Sequence, residues 1–174
     1  MKLRLIVLMA ALPLAILATP FGADAQRAVL VVRHAEQLDD STDSLLSEAG
    51  QRRAKALAVA LKDAGITAIY TSEFQRTIQT AAPLATALGI SATVVPRKDT
   101  EELIRRLRER HSQDIVLVVT HSGSLRAHGT TVPALLKALG HLEEVRIPRT
   151  EYGSLFVIVP KSEGPPVVVR LRFE

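Results

Sequence analysis

The sequence predicts an α/β domain: a three-layer sandwich with a mostly parallel central sheet, helices on both faces and antiparallel strands added at one edge. Three observations predict it. Short apolar runs without a helical period stand at residues 28–32, 66–71 and 115–119, as expected of strands buried on both faces. Between them lie segments whose apolar residues recur at i, i+3, i+4 and i+7, the period of a helix with one buried face. The chain closes on two more strand-like runs, 154–159 and 167–173, joined by the turn Lys161-Ser162-Glu163-Gly164-Pro165-Pro166.

Residues 1–25 stand apart from this pattern. Lys2 and Arg4 precede an apolar stretch at 5–18, followed by Pro20, Gly22 and Ala23-Asp24-Ala25. A basic start, a short apolar middle and a small-residue site are the parts of a cleavable secretory signal peptide, with cleavage after Ala25. The stretch is short for a membrane span and is broken by Pro13. The expectation is a periplasmic or secreted protein whose remaining part, residues 26–174, is a single domain with no stable membrane insertion. Loss of Lys2, Arg4 and Asp24 takes the formal net charge from +4 to +3, a mildly basic protein. The chain has no cysteine, which excludes a lipoprotein anchor and a disulfide framework. With no Trp and only 3% aromatics it lacks the stacking residues of a single-strand nucleic-acid surface, so no nucleic-acid partner is expected.

The first strand delivers Arg33 and His34 at its carboxyl end, where parallel α/β sheets carry functional groups. A neutral imidazole can attack phosphorus while a guanidinium neutralises the equatorial oxygens. After a polar loop at 37–43, Ser47 is the N-cap of a helix with Ala54, Leu57, Ala58 and Leu61 inward and Gly65 as its stop. The second strand, 66–71, leads to a helix expected to bury Ile78, Ala81, Ala82, Ala85 and Leu88, to kink at Pro83 and to close at Gly89. Arg76 lies near the start of that helix, where free N–H groups and the dipole favour an anion and a cation is out of place. Arg76 is therefore an anion-binding candidate. A third strand, 92–95, precedes a helix opening at Asp99-Thr100-Glu101-Glu102, in which Asp99 and Glu102 have capping-box spacing and Leu103, Ile104 and Leu107 face inward. Arg105, Arg106, Arg108 and Arg110 read as its solvated face. The fourth strand ends in Thr120-His121-Ser122-Gly123, so two parallel strands that each end in a histidine can present both imidazoles at one sheet edge. A last helix, 132–139, takes Thr131 as cap and Pro133 in its first turn, and ends at Gly140.

Four segments, in order, resemble the motifs of the histidine phosphatase superfamily, also called phosphoglycerate mutase-like. Arg33-His34-Ala35-Glu36 is similar to its R-H-G/A-E motif, and Leu46-Ser47-Glu48-Ala49-Gly50 with Arg53-Ala54 to its L-[ST]-x-x-G helix start. Thr71-Ser72 through Arg76-Thr77-Ile78-Gln79-Thr80-Ala81 is similar to its T-S-x-x-x-R-[AT]-x-x-T-A segment, and Val118-Val119-Thr120-His121-Ser122-Gly123 to its strand-then-histidine turn. The resemblance implies a small exported member in which His34 accepts the phosphoryl group and Arg33, Arg76 and His121 form the phosphate pocket. It implies a metal-independent phosphomonoesterase without cofactor, acting on a small phosphomonoester. The alternative on the same fold is a non-catalytic phosphate-binding or envelope-interaction protein. Which phosphomonoester is used, and the oligomeric state, are left open.

The physical logic agrees. Without a metal, two guanidinium groups and an imidazole must spread positive charge around three oxygens, and His34 must be neutral at its attacking nitrogen, the other nitrogen donating to a backbone carbonyl. The family also uses a carboxylic acid to protonate the leaving oxygen. Here the candidates are Glu101, then Asp99 and Glu36, each with capping or solvent exposure as its ordinary role; Ser122-Gly123 stands where the acid-phosphatase branch carries its acid. Ala127-His128-Gly129-Thr130-Thr131-Val132-Pro133 also resembles the family's G-H-S-N-T-V-P turn, so His128 competes with His121. Projection from the end of the strand favours His121. A metal site built from His34, His121 and His128 lacks any short ligand spacing.

Overall fold

The computed structural model describes residues 27–123 and 129–173; the expected signal peptide and His128 lie outside them. Six strands and four helices follow one another as β1 (Ala28–Arg33), α1 (Glu48–Leu61), β2 (Ile66–Thr71), α2 (Gln75–Leu88), β3 (Ala92–Val94), α3 (Thr100–Arg110), β4 (Ile115–Thr120), α4 (Val132–Ala138), β5 (Ser154–Val159) and β6 (Val167–Arg172). The sheet order is β3-β2-β4-β1-β5-β6. The first four strands in that order run parallel, β5 is antiparallel to β1, and β6 is antiparallel to β5. This is the expected mostly parallel sheet with its antiparallel edge.

Alternation along the strands makes two cores. Leu30, Val32, Ile69, Leu117 and Val119 pack with Leu57 and Leu61 of α1 and Leu84 of α2. Val29, Val31, Val116 and Val118 point the other way and pack with Leu103 and Leu107 of α3 and Leu135 and Leu136 of α4. Burial on both faces explains why these strands read as unbroken apolar runs. Among the described residues no helix is long and apolar enough to cross a membrane.

Local details confirm some expectations and correct others. Ser47 caps α1 by accepting the Gly50 N–H at 3.1 Å, and Thr131 caps α4 by accepting that of Ala134. The inner face of α2 is shifted from the one expected: Arg76, Thr77, Thr80, Ala81 and Leu84 are buried, while Ala82 is exposed and Ile78 only half-buried. Its threonines bury because each finds an acceptor, Thr77 the carbonyl of Phe74 at 2.7 Å and Thr80 that of Arg76 at 2.6 Å. α2 also runs through Pro83 as one helix. The expected capping box of α3 does not form. Asp99 makes no side-chain cap bond, and Glu102 turns instead to Arg105 and Arg106, whose guanidinium groups offer it charged donors at 2.8 and 2.6 Å.

Candidate active site

Register decides the site. Arg33 pairs with Thr120 across β1 and β4, so the next residues, His34 and His121, leave the sheet side by side, their ring centroids 5.3 Å apart. The period of two that sends Val32 and Val119 toward α1 and α2 carries both histidines to that same side, where Arg76 sits in the first turn of α2. Arg33, His34, Arg76 and His121 are all buried, at 6, 4, 9 and 4% exposure. The structure thus brings together the four residues singled out in the sequence.

The hydrogen bonds fix the state of each ring. His34 Nδ1 lies 2.8 Å from the Ala35 carbonyl, which can only accept, so Nδ1 carries the proton and Nε2 is left with a free lone pair. His121 Nε2 lies 2.9 Å from Ser72 Oγ, itself 2.9 Å from Thr77 Oγ1. Thr77 gives its one proton to the Phe74 carbonyl, so Ser72 donates to Thr77 and in turn accepts from His121 Nε2. Nδ1 of His121 is the nitrogen left available. Burial lowers the His34 pKa to about 4, against the pull of the Ala35 carbonyl and with help from Arg33, Arg76 and Arg97. His121 falls to about 2, through burial and then His34 and the same three arginines. Both rings are neutral at pH 7 in the ligand-free protein.

The arginines are held by backbone and aromatic rings rather than by carboxylates. Arg33 Nη1 donates to the carbonyls of Arg149 and Glu151 at 2.8 and 2.9 Å, and its guanidinium lies 3.9 Å from the centre of the Tyr152 ring. Arg76 Nη1 donates to the Thr42 carbonyl at 2.6 Å and its guanidinium lies 4.5 Å from the Phe74 ring. Phe74 also meets His121 edge to face, at 5.3 Å. The Nε atoms of both arginines are buried without a partner. Beside Arg33 opens a cavity of about 500 Å³ lined by Gln37, Leu38, Asp39, Asp40, Arg149 and Tyr152. Phe74, Tyr152 and the Pro148–Glu151 carbonyls were not singled out in the sequence; nothing in their residue types marks them, since three of the contacts are made by backbone.

The proton-donor candidates are placed less favourably. Glu36 lies in a two-pronged pair with Arg53, 2.9 and 3.0 Å from its Nε; burial raises its pKa, but the Arg53 bonds outweigh this and leave it below the usual carboxylate range. Glu101 is exposed, and with Asp99 it lines a separate cavity whose walls include Lys98, Glu102 and Arg105. Among the described residues no group of three His, Asp or Glu side chains gathers at metal-binding distance.

Comparison with known proteins agrees with this geometry. The model of the histidine phosphatase superfamily (branch 1) matches residues 29–99. The probable phosphoglycerate mutases GpmB of Yersinia enterocolitica and Yersinia pestis are 38% identical over 76 residues, 40% of this chain and 35% of theirs. The chain thus matches about a third of the length of these curated relatives. Two solved structures share the fold over almost their whole length. The protein histidine phosphatase SixA, complexed with tungstate, covers 83% of this chain and 96% of its own at 22% identity and a TM-score of 0.64. The mycobacterial glucosyl-3-phosphoglycerate phosphatase with VO3 covers 84% and 98% at 16% identity and a TM-score of 0.63. Motif order, sheet topology and the matched segment converge on one conclusion: residues 29–99 carry the sequence signature of the histidine phosphatase superfamily, on a fold shared with solved phosphatases.

Proposed function

We propose that the protein is an exported, metal-independent phosphomonoesterase that works through a phosphohistidine on His34. One observation carries the reading: a buried histidine whose Nδ1 is tied to a carbonyl, leaving Nε2 bare beside a second histidine and two arginines with unpartnered Nε–H groups. In this reading the lone pair of His34 Nε2 attacks phosphorus, Arg33 and Arg76 meet equatorial oxygens as charge builds on them, and His121 meets the third once the bound dianion has drawn a proton from solvent onto its Nδ1. Water then opens the phosphohistidine. Export to the periplasm or beyond is supported by the basic, apolar and Ala-x-Ala parts of residues 1–25. Phosphatases among the structural neighbours support a small phosphorylated substrate.

The test is hydrolysis of a generic aryl phosphate with chelator present, combined with trapping of the phosphoenzyme. The wild type should form an acid-labile, base-stable adduct, and His34→Ala should form none and lose turnover by at least about a thousandfold. Hydrolysis by His34→Ala at close to the wild-type rate removes His34 as nucleophile. Phosphate binding without turnover in the wild type would instead establish the non-catalytic reading.

A further inference from the structure

A third arginine shares the condition of Arg33 and Arg76. Arg97 follows β3, and its backbone is clamped from both sides: its N–H donates to Glu73 Oε2 at 2.7 Å and its carbonyl accepts the Thr130 N–H at 2.6 Å. Gly129 passes so close that a Cβ there would stand 2.5 Å from the Arg97 carbonyl oxygen and 3.0 Å from its Cγ. The side chain is in the opposite situation. Its Nε is buried without a partner, and the neighbouring acid, Glu73, is occupied by the backbone of Arg97 rather than by its charge. Other acids of the region are also taken, Glu36 by Arg53 and Asp43 by the Gln75 N–H. The Arg97 charge is felt at His34, His121 and Arg76, where it disfavours protonation.

We propose that Arg97 is the leaving-group residue of this site, stabilising the negative charge on the departing oxygen where other enzymes of this chemistry supply a proton. The inference rests on the phosphohistidine reading above. A phosphoryl group has three non-bridging oxygens, and Arg33, Arg76 and His121 account for them. The third guanidinium, one strand further out than Arg76, is left for the bridging oxygen and the group attached to it. The Nε2–P bond forms as the P–O bond breaks, the electron pair stays on the leaving oxygen, and that oxygen departs as an anion beside Arg97 with no proton transferred. Water then adds to the phosphorus of phospho-His34 as the N–P bond breaks, and both of its protons leave on dihydrogen phosphate. The substrate class follows from the balance. Acyl phosphates, phosphoanhydrides and aryl phosphates give stable anions, whereas simple alkyl phosphates give alkoxides that a guanidinium alone cannot stabilise sufficiently.

The experiment uses a series of aryl phosphates of rising leaving-group pKa, with acetyl phosphate and an alkyl phosphate at the extremes, on wild type, Arg97→Ala and Arg97→Lys. In the wild type kcat/KM should fall steeply along the series. In Arg97→Ala the loss should grow with leaving-group pKa, from a few-fold at the acidic end to a hundredfold or more at the other, and Arg97→Lys should restore part of it. Hydrolysis of preformed phospho-His34, measured in single turnover, should be the same in all three proteins, because the leaving group has already gone. An equal loss across the series, a slowed phosphoenzyme hydrolysis, or efficient alkyl phosphate turnover by the wild type overturns the assignment while leaving the phosphohistidine mechanism standing. Absence of any wild-type phosphoenzyme overturns both.

Discussion

Each histidine of the site is defined by what its second nitrogen touches: a carbonyl for His34, a hydroxyl pair for His121. That division leaves Nε2 bare on one ring and Nδ1 bare on the other, although the residue type is the same. Arg76 shows the same dependence on surroundings. Its first-turn position opposes the helix dipole, and the Thr42 carbonyl and the Phe74 ring offset that cost. Arg76→Ala should therefore lose about 2–4 kcal/mol of transition-state stabilisation, and Arg76→Lys should not recover it, since an ammonium cannot reproduce the planar fork. Thermal melts with and without inorganic phosphate check the placement, and an equal phosphate-induced shift in wild type and Arg76→Ala would remove Arg76 from the pocket. Arg33, His34, Arg76 and His121 were legible because each stands at the end of a strand or the start of a helix with a recognisable period. Arg97 and Tyr152 were not, because each depends on a loop brought in from elsewhere, and a loop has no period to read.

At the scale of elements, the site is held by the way α1 and α2 are tied to the segment after His34. The Ala35 N–H donates to Thr80 Oγ1 of α2 at 2.9 Å, and the Glu36 carbonyl accepts the N–H of Ser47, the cap of α1, at 2.9 Å. Gly50 in the first turn of α1 lies directly against that segment. A Cβ on it would stand 2.1 Å from the Glu36 carbonyl oxygen, so the glycine is required by close approach rather than by backbone conformation. Elsewhere in a helix Gly→Ala stabilises. Here Gly50→Ala should destabilise by about 1–3 kcal/mol through overpacking, and should lower activity by displacing the chain next to His34. Urea unfolding with a phosphatase assay tests this, and an unchanged or raised midpoint would show that Glu36 yields freely. The elements themselves were legible from apolar period and punctuation. What was not legible was the rotation of α2, since the buried threonines look polar until their carbonyl acceptors are in view.

For the molecule as a whole, the governing feature is concentrated positive charge beneath a mildly basic surface. Both site histidines have folded pKa values far below the ordinary 6.5, so below that pH the unfolded chain takes up protons that the native state refuses. Stability should be flat above about pH 7 and fall between pH 6.5 and 4, with His34 alone costing on the order of 3 kcal/mol by pH 4. Unfolding free energies measured across that range, with and without phosphate, check the sign; no loss between pH 7 and 5 would show that the rings protonate in place. A bound anion favours the charged rings, so phosphate should stabilise more at pH 5 than at pH 8. The orphaned Nε–H groups of Arg33, Arg76 and Arg97 carry this further. A pocket relieved by any tetrahedral oxyanion does not distinguish what enters from what is made. Free orthophosphate has a fourth oxygen to offer where a substrate has its bridging one, so it should compete for the site, and its departure returns three guanidinium groups to an unsatisfied state. On the proposed mechanism, release of product becomes the costly part of the cycle, and turnover should slow as the liberated phosphate accumulates.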